Sequence, residues 1–239
     1  VNRSQTALPF STSGEPVIVS VIDDQGKPGI DQGPATFLRW PTLTSVSFGL
    51  NESFTVGFRT IVRNQEYMAW WANMLVSDGG DLTQPGFSIS FSNPFFGFLI
   101  YWSDIFANVI LAQDISSFIS DNTWVEFVVV YNGDLYEAGA DIPSDLVKLY
   151  IDGVDIPLSI LDGNTFPDPD VTKGSAPMSV GYDTYVDEAG SGGVTVSQMY
   201  VCAGAHPPTV VGVFNGGEFG EGGRLAHTSK TRSTWKSKK

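Results

Sequence analysis

A chain of 239 residues, 42% of them hydrophobic, is long enough to bury one large core, and all-β domains of this size often stay single. No run approaches the ~20 apolar residues needed to cross a membrane, and Cys202 is the sole cysteine, which excludes an internal disulfide and a cysteine-built zinc site. The net charge of −13 is unevenly placed: seven basic against 26 acidic residues give residues 1–223 a charge of −19, while the last six basic residues give 224–239 a charge of +6.

Strand signals run the length of the chain. "PVIVSVI" (16–22), "ATFLRW" (35–40) and "SVSFGL" (45–50) come first, the last two parted by Pro41. "SFTVGFRTIV" (53–62) alternates, with Phe54, Val56, Phe58 and Thr60 on one face. "MAWWANMLVS" (68–77), "GFSISF" (86–91), "FGFLIYW" (96–102) and "NVILAQ" (108–113) continue the series between Gly-rich turns. "TWVEFVVVY" (123–131) sets Val125, Phe127, Val129 and Tyr131 against Trp124, Glu126, Val128 and Val130. In "KLYIDGVDIPL" (148–158) two apolar runs flank Asp152-Gly153, a strong hairpin signal because both turn positions take positive φ. "APMSVGY" (176–182) and "VTVSQMYV" (194–201) close the series. Prolines fall at run ends, where strands tolerate them. Some dozen strands with hardly a helix predict an all-β antiparallel sandwich or barrel. The glycine-rich "GGEFGEGG" (216–223) predicts a hinge into a basic arm. The chain opens at Val1 without a signal-peptide pattern, so a trimmed N-terminal portion stays open as an alternative.

The order of these pieces resembles the laminin-G-like, or concanavalin A-like lectin–glucanase, jelly-roll family. "SFTVGF" is similar to its sheet-opening strand, "NTWVEFVVVYNG" (122–133) to its Trp-and-valine strand and "KLYIDGVDI" to the following hairpin. "MSVGYD" (178–183) and "VTVSQMYVCAGAHPPTVVGVFNGG" (194–217) resemble its closing strands and final Asn-Gly. The family's closing helix would fall on "PPTVVGVF", whose β-branched residues and glycine allow one turn at most. The resemblance implies a jelly-roll sandwich over residues 35–217, preceded by an N-terminal extension and first strand (1–34) and followed by the hinge and arm (218–239). It leaves function open, since the fold hosts lectins, glycan hydrolases, adhesion modules and virion parts.

Catalysis finds little footing. Sugar hydrolases of this fold carry alternating carboxylates, Glu-x-Asp-x-x-Glu, because acid and nucleophile flank one bond at ~5–5.5 Å. No such run exists, and the acidic clusters "IDD" (22–24), "SDGGD" (77–81), "DGNTFPDPD" (162–170) and "YVDEAG" (185–190) read as solvated loops. His206 and His227 offer no spacing cue for a Ser-His-Asp set, and no phosphate-cradling loop is present. Calcium is the conceivable cofactor, with Asp78 and Asp81 or Asp183 and Asp187 as loop carboxylates, Asp183 and Asp187 being preferred as ligands. Cys202 reads as a small buried residue.

Glycans need aromatic faces. Adjacent strand residues point to opposite faces, so one of Trp70 and Trp71, and one of Tyr101 and Trp102, is expected in the core. Trp71, Tyr101 and Trp102 are the candidate platforms. The arm supplies Arg224, Lys230, Arg232, Trp235, Lys236, Lys238 and Lys239 for partner binding. Nucleic acid is disfavoured, because a body of −19 repels a phosphate backbone. The pieces look most like modules of bacteriophage virion proteins, on capsid surfaces or in tail fibres. The expected function is therefore a non-enzymatic decoration protein at the virion surface, docked on other subunits through its arm. The alternative is a carbohydrate-binding adhesion module of a tail fibre or a secreted protein.

Overall fold

The computed structural model describes residues 11–12, 18–32, 38–40, 48–62, 68–72, 75–76, 82–84, 86–102, 109–163, 165–167, 178–183, 188–189, 194–208, 219–220 and 224–225. The first strands are β1 (Ser11–Thr12), β2 (Ile18–Ile22), β3 (Pro28–Gln32), β4 (Leu38–Trp40), β5 (Phe54–Ile61), β6 (Met68–Ala72) and β7 (Leu75–Val76). Next come β8 (Leu82–Gln84), β9 (Gly86–Ser92), β10 (Phe95–Tyr101), β11 (Val109–Asp114), β12 (Trp124–Tyr131), β13 (Val147–Ile151) and β14 (Val154–Ile156). The last are β15 (Ser159–Asp162), β16 (Met178–Val180), β17 (Tyr182–Asp183), β18 (Glu188–Ala189), β19 (Val194–Ala203), β20 (Phe219–Gly220) and β21 (Arg224–Leu225).

Two antiparallel sheets form a jelly-roll sandwich. One has eight strands in the order β1-β4-β16-β6-β9-β10-β11-β15; the other has seven, β14-β13-β12-β5-β19-β3-β2. The alternation in β5 and β12 sets the inner face of the second sheet. Phe54, Val56 and Phe58, with Val125, Phe127, Val129 and Tyr131, join one buried cluster with Phe87, Ile89, Phe91, Phe96, Phe98 and Ile100 of the facing sheet. Its centre is aromatic: the Phe54 and Tyr131 rings stack at 5.0 Å, and Phe58 stacks on Phe127 at 5.6 Å. Such ring pairs add about 0.5–1.5 kcal/mol each beyond the area they bury. The Tyr131 hydroxyl donates to the Leu50 carbonyl at 2.6 Å, so its polar end is satisfied inside the core.

The Asp-Gly hairpin forms as expected, with Asp152 at φ 47° and Gly153 at φ 80°. The Asp152 carboxylate accepts from the Glu126 amide at 2.9 Å, tying the turn to β12. Two expectations are corrected. Residues 48–50 form a turn rather than a strand, although Phe48 and Leu50 still reach the core. "PGIDQ" pairs as β3, with proline at the strand's first position, where its missing N–H is tolerated. Gly29 of that strand passes so close to β19 that a Cβ would stand 2.6 Å from the Val196 carbonyl oxygen. Within the expected hinge and arm, β20 and β21 pair antiparallel, Phe219 opposite Leu225. Of 207–214, where one helical turn at most is expected, residues 209–214 lie outside the described residues.

Candidate functional site

The densest gathering of charged and polar side chains among the described residues sits on the outer face of the seven-stranded sheet. A bulge in β19 builds it. Ser197 pairs with Arg59 and Tyr200 with Gly57, so two residues, Gln198 and Met199, oppose Phe58 alone. Gln198 adopts φ 50°, a conformation uncommon for a side-chain-bearing residue. The extra residue shifts the phase of alternation. Val194 and Val196 face the core before the bulge, Met199 and Val201 after it. Thr195 and Ser197, then Tyr200 and Cys202, are thereby aimed at the outer face.

Gly57 makes room for the Tyr200 ring. A Cβ there would stand 2.3 Å from that ring, which crosses the β5 backbone toward its neighbours. Tyr200, Val128, Val130 and Tyr150 form a second buried cluster, with Cys202 against it. Burial pushes the Cys202 thiol up to about 11, so it is no nucleophile at neutral pH.

Beside this floor lies Arg59, almost fully buried. Its Nη2 donates to Asp24 Oδ1 at 2.6 Å, its Nε lies 3.8 Å from Asp23 Oδ2, and its Nη1 lies 3.9 Å from Glu126 Oε2. Asp23 organises the turn between β2 and β3. Its Oδ1 accepts from the Gln25 and Lys27 amides at 2.9 and 2.8 Å; its Oδ2 accepts from the Ser197 hydroxyl and the Gln198 side-chain amide at 2.7 and 2.8 Å. Burial opposes the Asp23 charge, but the hydrogen bonds from Ser197, Lys27, Gln198 and Gln25 outweigh it and hold the carboxyl below its ordinary value. Glu126 is the opposite case. Burial raises its pKa to about 7; Arg59 lowers it only in part and Asp152 adds to the rise. At 3.9 Å without a hydrogen bond, the Arg59 pairing is too loose to repay the desolvation of the carboxylate.

This arrangement is a polar clip. Asp23 fastens the β2–β3 turn to the β19 bulge, and Arg59 fastens the same turn to the sheet. Sequence reasoning assigned "IDD" to a solvated loop. Asp23 is in fact buried, and its partners lie 174 and 175 positions away in the chain.

The aromatic candidates chosen from sequence are mostly in the core. Trp71 is 0% exposed and Tyr101 1%, so neither presents a ring to solvent, which corrects their assignment as platforms. The reason for Trp71 is a second irregularity: between Ala69 and Trp71 the β6–β9 register shifts. That shift lets both tryptophans turn inward, Trp70 against Phe91 and Phe127 and Trp71 against Phe54. Trp102 is half-buried and packs on the core cluster. Asp183 pairs in β17 with Glu188 of β18, whereas Asp78, Asp81 and Asp187 lie outside the described residues. Among the described residues no group of three His, Cys, Asp or Glu is placed to hold a metal, and no helix is long and apolar enough to cross a membrane. Arg224 lies in β21; Lys230, Arg232, Trp235, Lys236, Lys238 and Lys239 lie outside the described residues. His206 is exposed, and its backbone amide donates to the Thr55 hydroxyl at 2.9 Å.

No protein-family model matches the chain, and no curated protein matches it in sequence. Solved structures share its architecture. The binding domain of Paraclostridial Mosquitocidal Protein 1 superimposes with a TM-score of 0.52 at 14% identity, over 83% of this chain and 45% of that one. The binding domain of botulinum neurotoxin serotype G gives 0.51 at 9% identity, over 84% and 45%. That of serotype D gives 0.50 at 11%, over 84% and 44%. The chain thus spans under half the length of each. Likeness at this level is likeness of fold.

Proposed function

We propose that this chain is a non-enzymatic binding module whose sandwich is displayed outward and whose basic arm docks it on other protein subunits, as in a surface component of a virion. The observation that carries the reading is the separation of charge, −19 in residues 1–223 and +6 in residues 224–239. A basic segment with a single large apolar anchor, Trp235, suits an acidic groove on a partner, where aromatic and charge-assisted contacts concentrate binding energy. The acidic body suits a surface that keeps displayed copies soluble and mutually repelling. Asp23 and Asp24 beside Arg59 are engaged in fastening a turn, and Glu126 is buried, which favours a scaffold role over turnover. Structures named as binding domains share the architecture, in keeping with recognition, although fold alone leaves the ligand undetermined. The test compares incorporation of the full chain and of a 1–223 truncation into assembled particles; incorporation unchanged by the truncation would refute the docking role.

A second reading is a carbohydrate-binding adhesion module, secreted or on a tail fibre. It is favoured by half-buried Trp102 and by half-buried Trp124, which stands at the end of the outer face that carries Arg59 and Glu126. Trp102 is the platform kept from the sequence, and Asp183 with Asp187 remain the candidate calcium ligands. A glycan array probed with the full chain, with and without calcium, decides it: silence in both conditions removes this reading.

A further inference from the structure

Among the phenylalanines whose side chains are described, all are buried except two: Phe95, 48% exposed, and Phe118, 42% exposed. Both stand on one rim of the sandwich, where the turn between β9 and β10 meets the connection from β11 to β12. The Ile115 amide joins the two segments by donating to the Pro94 carbonyl at 3.0 Å. Ile115 itself is anchored in the core, the Phe118 amide donates back to the Ile115 carbonyl at 2.9 Å, and the Asn122 amide donates to the Val62 carbonyl at 3.2 Å. Rings carried on a backbone tied down in this way lose little freedom when a ligand settles on them. Phe96, Phe98 and Ile100 fill the core, so alternation sends Phe95 to the outer face of the eight-stranded sheet. Its cross-strand partners are Ser92 of β9 and Asp114 of β11, both exposed. Residues paired in this way bring their Cβ atoms to about 4.5–5.5 Å, so the ring has a hydroxyl on one flank and a carboxylate on the other. Asp114 Oδ1 accepts from the Ser116 amide at 2.9 Å, and hydrogen bonds from Ser116 hold this carboxyl below its ordinary value, so it is ionised at neutral pH. From Asn64 to Val147, a span that contains the whole rim, the chain has no Lys or Arg.

We propose that Phe95 and Phe118, with Ser92 and Asp114, form a platform for an uncharged glycan. The C–H face of a sugar ring carries partial positive charge and lies flat on the negative face of an aromatic ring. A sugar seated on Phe95 turns its hydroxyls to the flanks of that ring. There they donate to Asp114 in charge-assisted bonds and exchange hydrogen bonds with Ser92, whose hydroxyl both donates and accepts. Phe118 offers a second ring to the next sugar of the same chain. An anionic ligand is selected against, because sialylated, sulfated or phosphorylated groups would meet the Asp114 charge with no basic side chain from this span to offset it. The proposal rests on the carbohydrate-binding reading and gives it a place, at the end of β10 away from Trp102.

The experiment probes an array of immobilised neutral, sialylated and sulfated oligosaccharides with the full chain and its variants. Expected is binding of the parent to neutral spots. It should fall at least tenfold when Phe95→Ser and Phe118→Ser are combined, and several-fold in Asp114→Asn. Phe95→Tyr and Phe118→Tyr keep the rings and should bind as the parent does, which separates loss of the platform from loss of the fold. Neutral spots bound equally by the double serine variant would overturn the platform and leave the carbohydrate reading standing. Silence of the parent at every spot would remove both, and binding confined to sialylated or sulfated spots would overturn the platform alone. Phosphatidylcholine vesicles serve as a second probe: vesicle binding that depends on the two rings, with the array silent, would reassign them to a membrane surface and overturn the proposal.

Discussion

Replacing Glu126 with glutamine should change how stability responds to pH, in a direction the geometry dictates. Burial raises the Glu126 pKa from 4.5 to about 7 in the folded chain. The sign follows from linkage: between these values the folded state binds more protons than the unfolded state, so stability falls as pH rises through the window and the penalty is complete above it. Each unit is worth about 1.4 kcal/mol, so the charged carboxylate costs the fold about 3 kcal/mol at pH 8. Loss of the 3.9 Å contact with Arg59 offsets little, since Arg59 keeps Asp24 at 2.6 Å. Glu126→Gln should therefore unfold at higher urea than the parent at pH 8, with the gap closing toward pH 5. The assay is urea unfolding of both proteins at half-unit steps from pH 5 to pH 8. A gap that stays constant across the series, or one that widens toward acid, would refute the assignment of Glu126 as a carboxyl kept neutral by burial.

Asp23→Asn should lower stability at neutral pH by about 1–3 kcal/mol, because a buried hydrogen-bonded charge is lost from the turn. The depressed Asp23 pKa stabilises the fold above the unfolded value of about 3.8, and that contribution disappears as pH falls, so the variant's acid-unfolding curve should be flatter there than the parent's. Gly57→Ala should cost about 1–3 kcal/mol by driving the Tyr200 ring off β5, and truncating Tyr200 to alanine in the same chain should recover part of it, as a thermal-melt cycle would measure. Trp71→Ala should cost about 3–5 kcal/mol in unfolding free energy, the signature of a core ring; a stable variant that merely loses a ligand would reverse the burial argument.

The parts of this fold that depend on local pattern are legible in the sequence. Alternation in 54–61 and 124–131 separates core from outer residues correctly, because side chains of a regular strand alternate whatever it pairs with. The Asp152-Gly153 turn is equally plain, since few residue pairs take two successive positive φ values. What fails is what depends on a neighbour. Trp70 and Trp71 both face inward because the β6–β9 register slips by a residue, and Tyr200 faces outward because β19 bulges against β5. Neither irregularity has a local signature in "MAWWA" or "VTVSQMYV". β3 hides behind a proline and a glycine that only its pairing with β19 explains. The Arg59 clip joins Asp23, Ser197 and Glu126, which the chain separates widely and the sheet order brings side by side. Alternating strands, the tight turn and the division of charge can be read without a structure, because each is a property of neighbouring residues or of a sum. The phase of each strand and the company of each buried charge belong to the folded chain, because both are set by which backbone lies alongside.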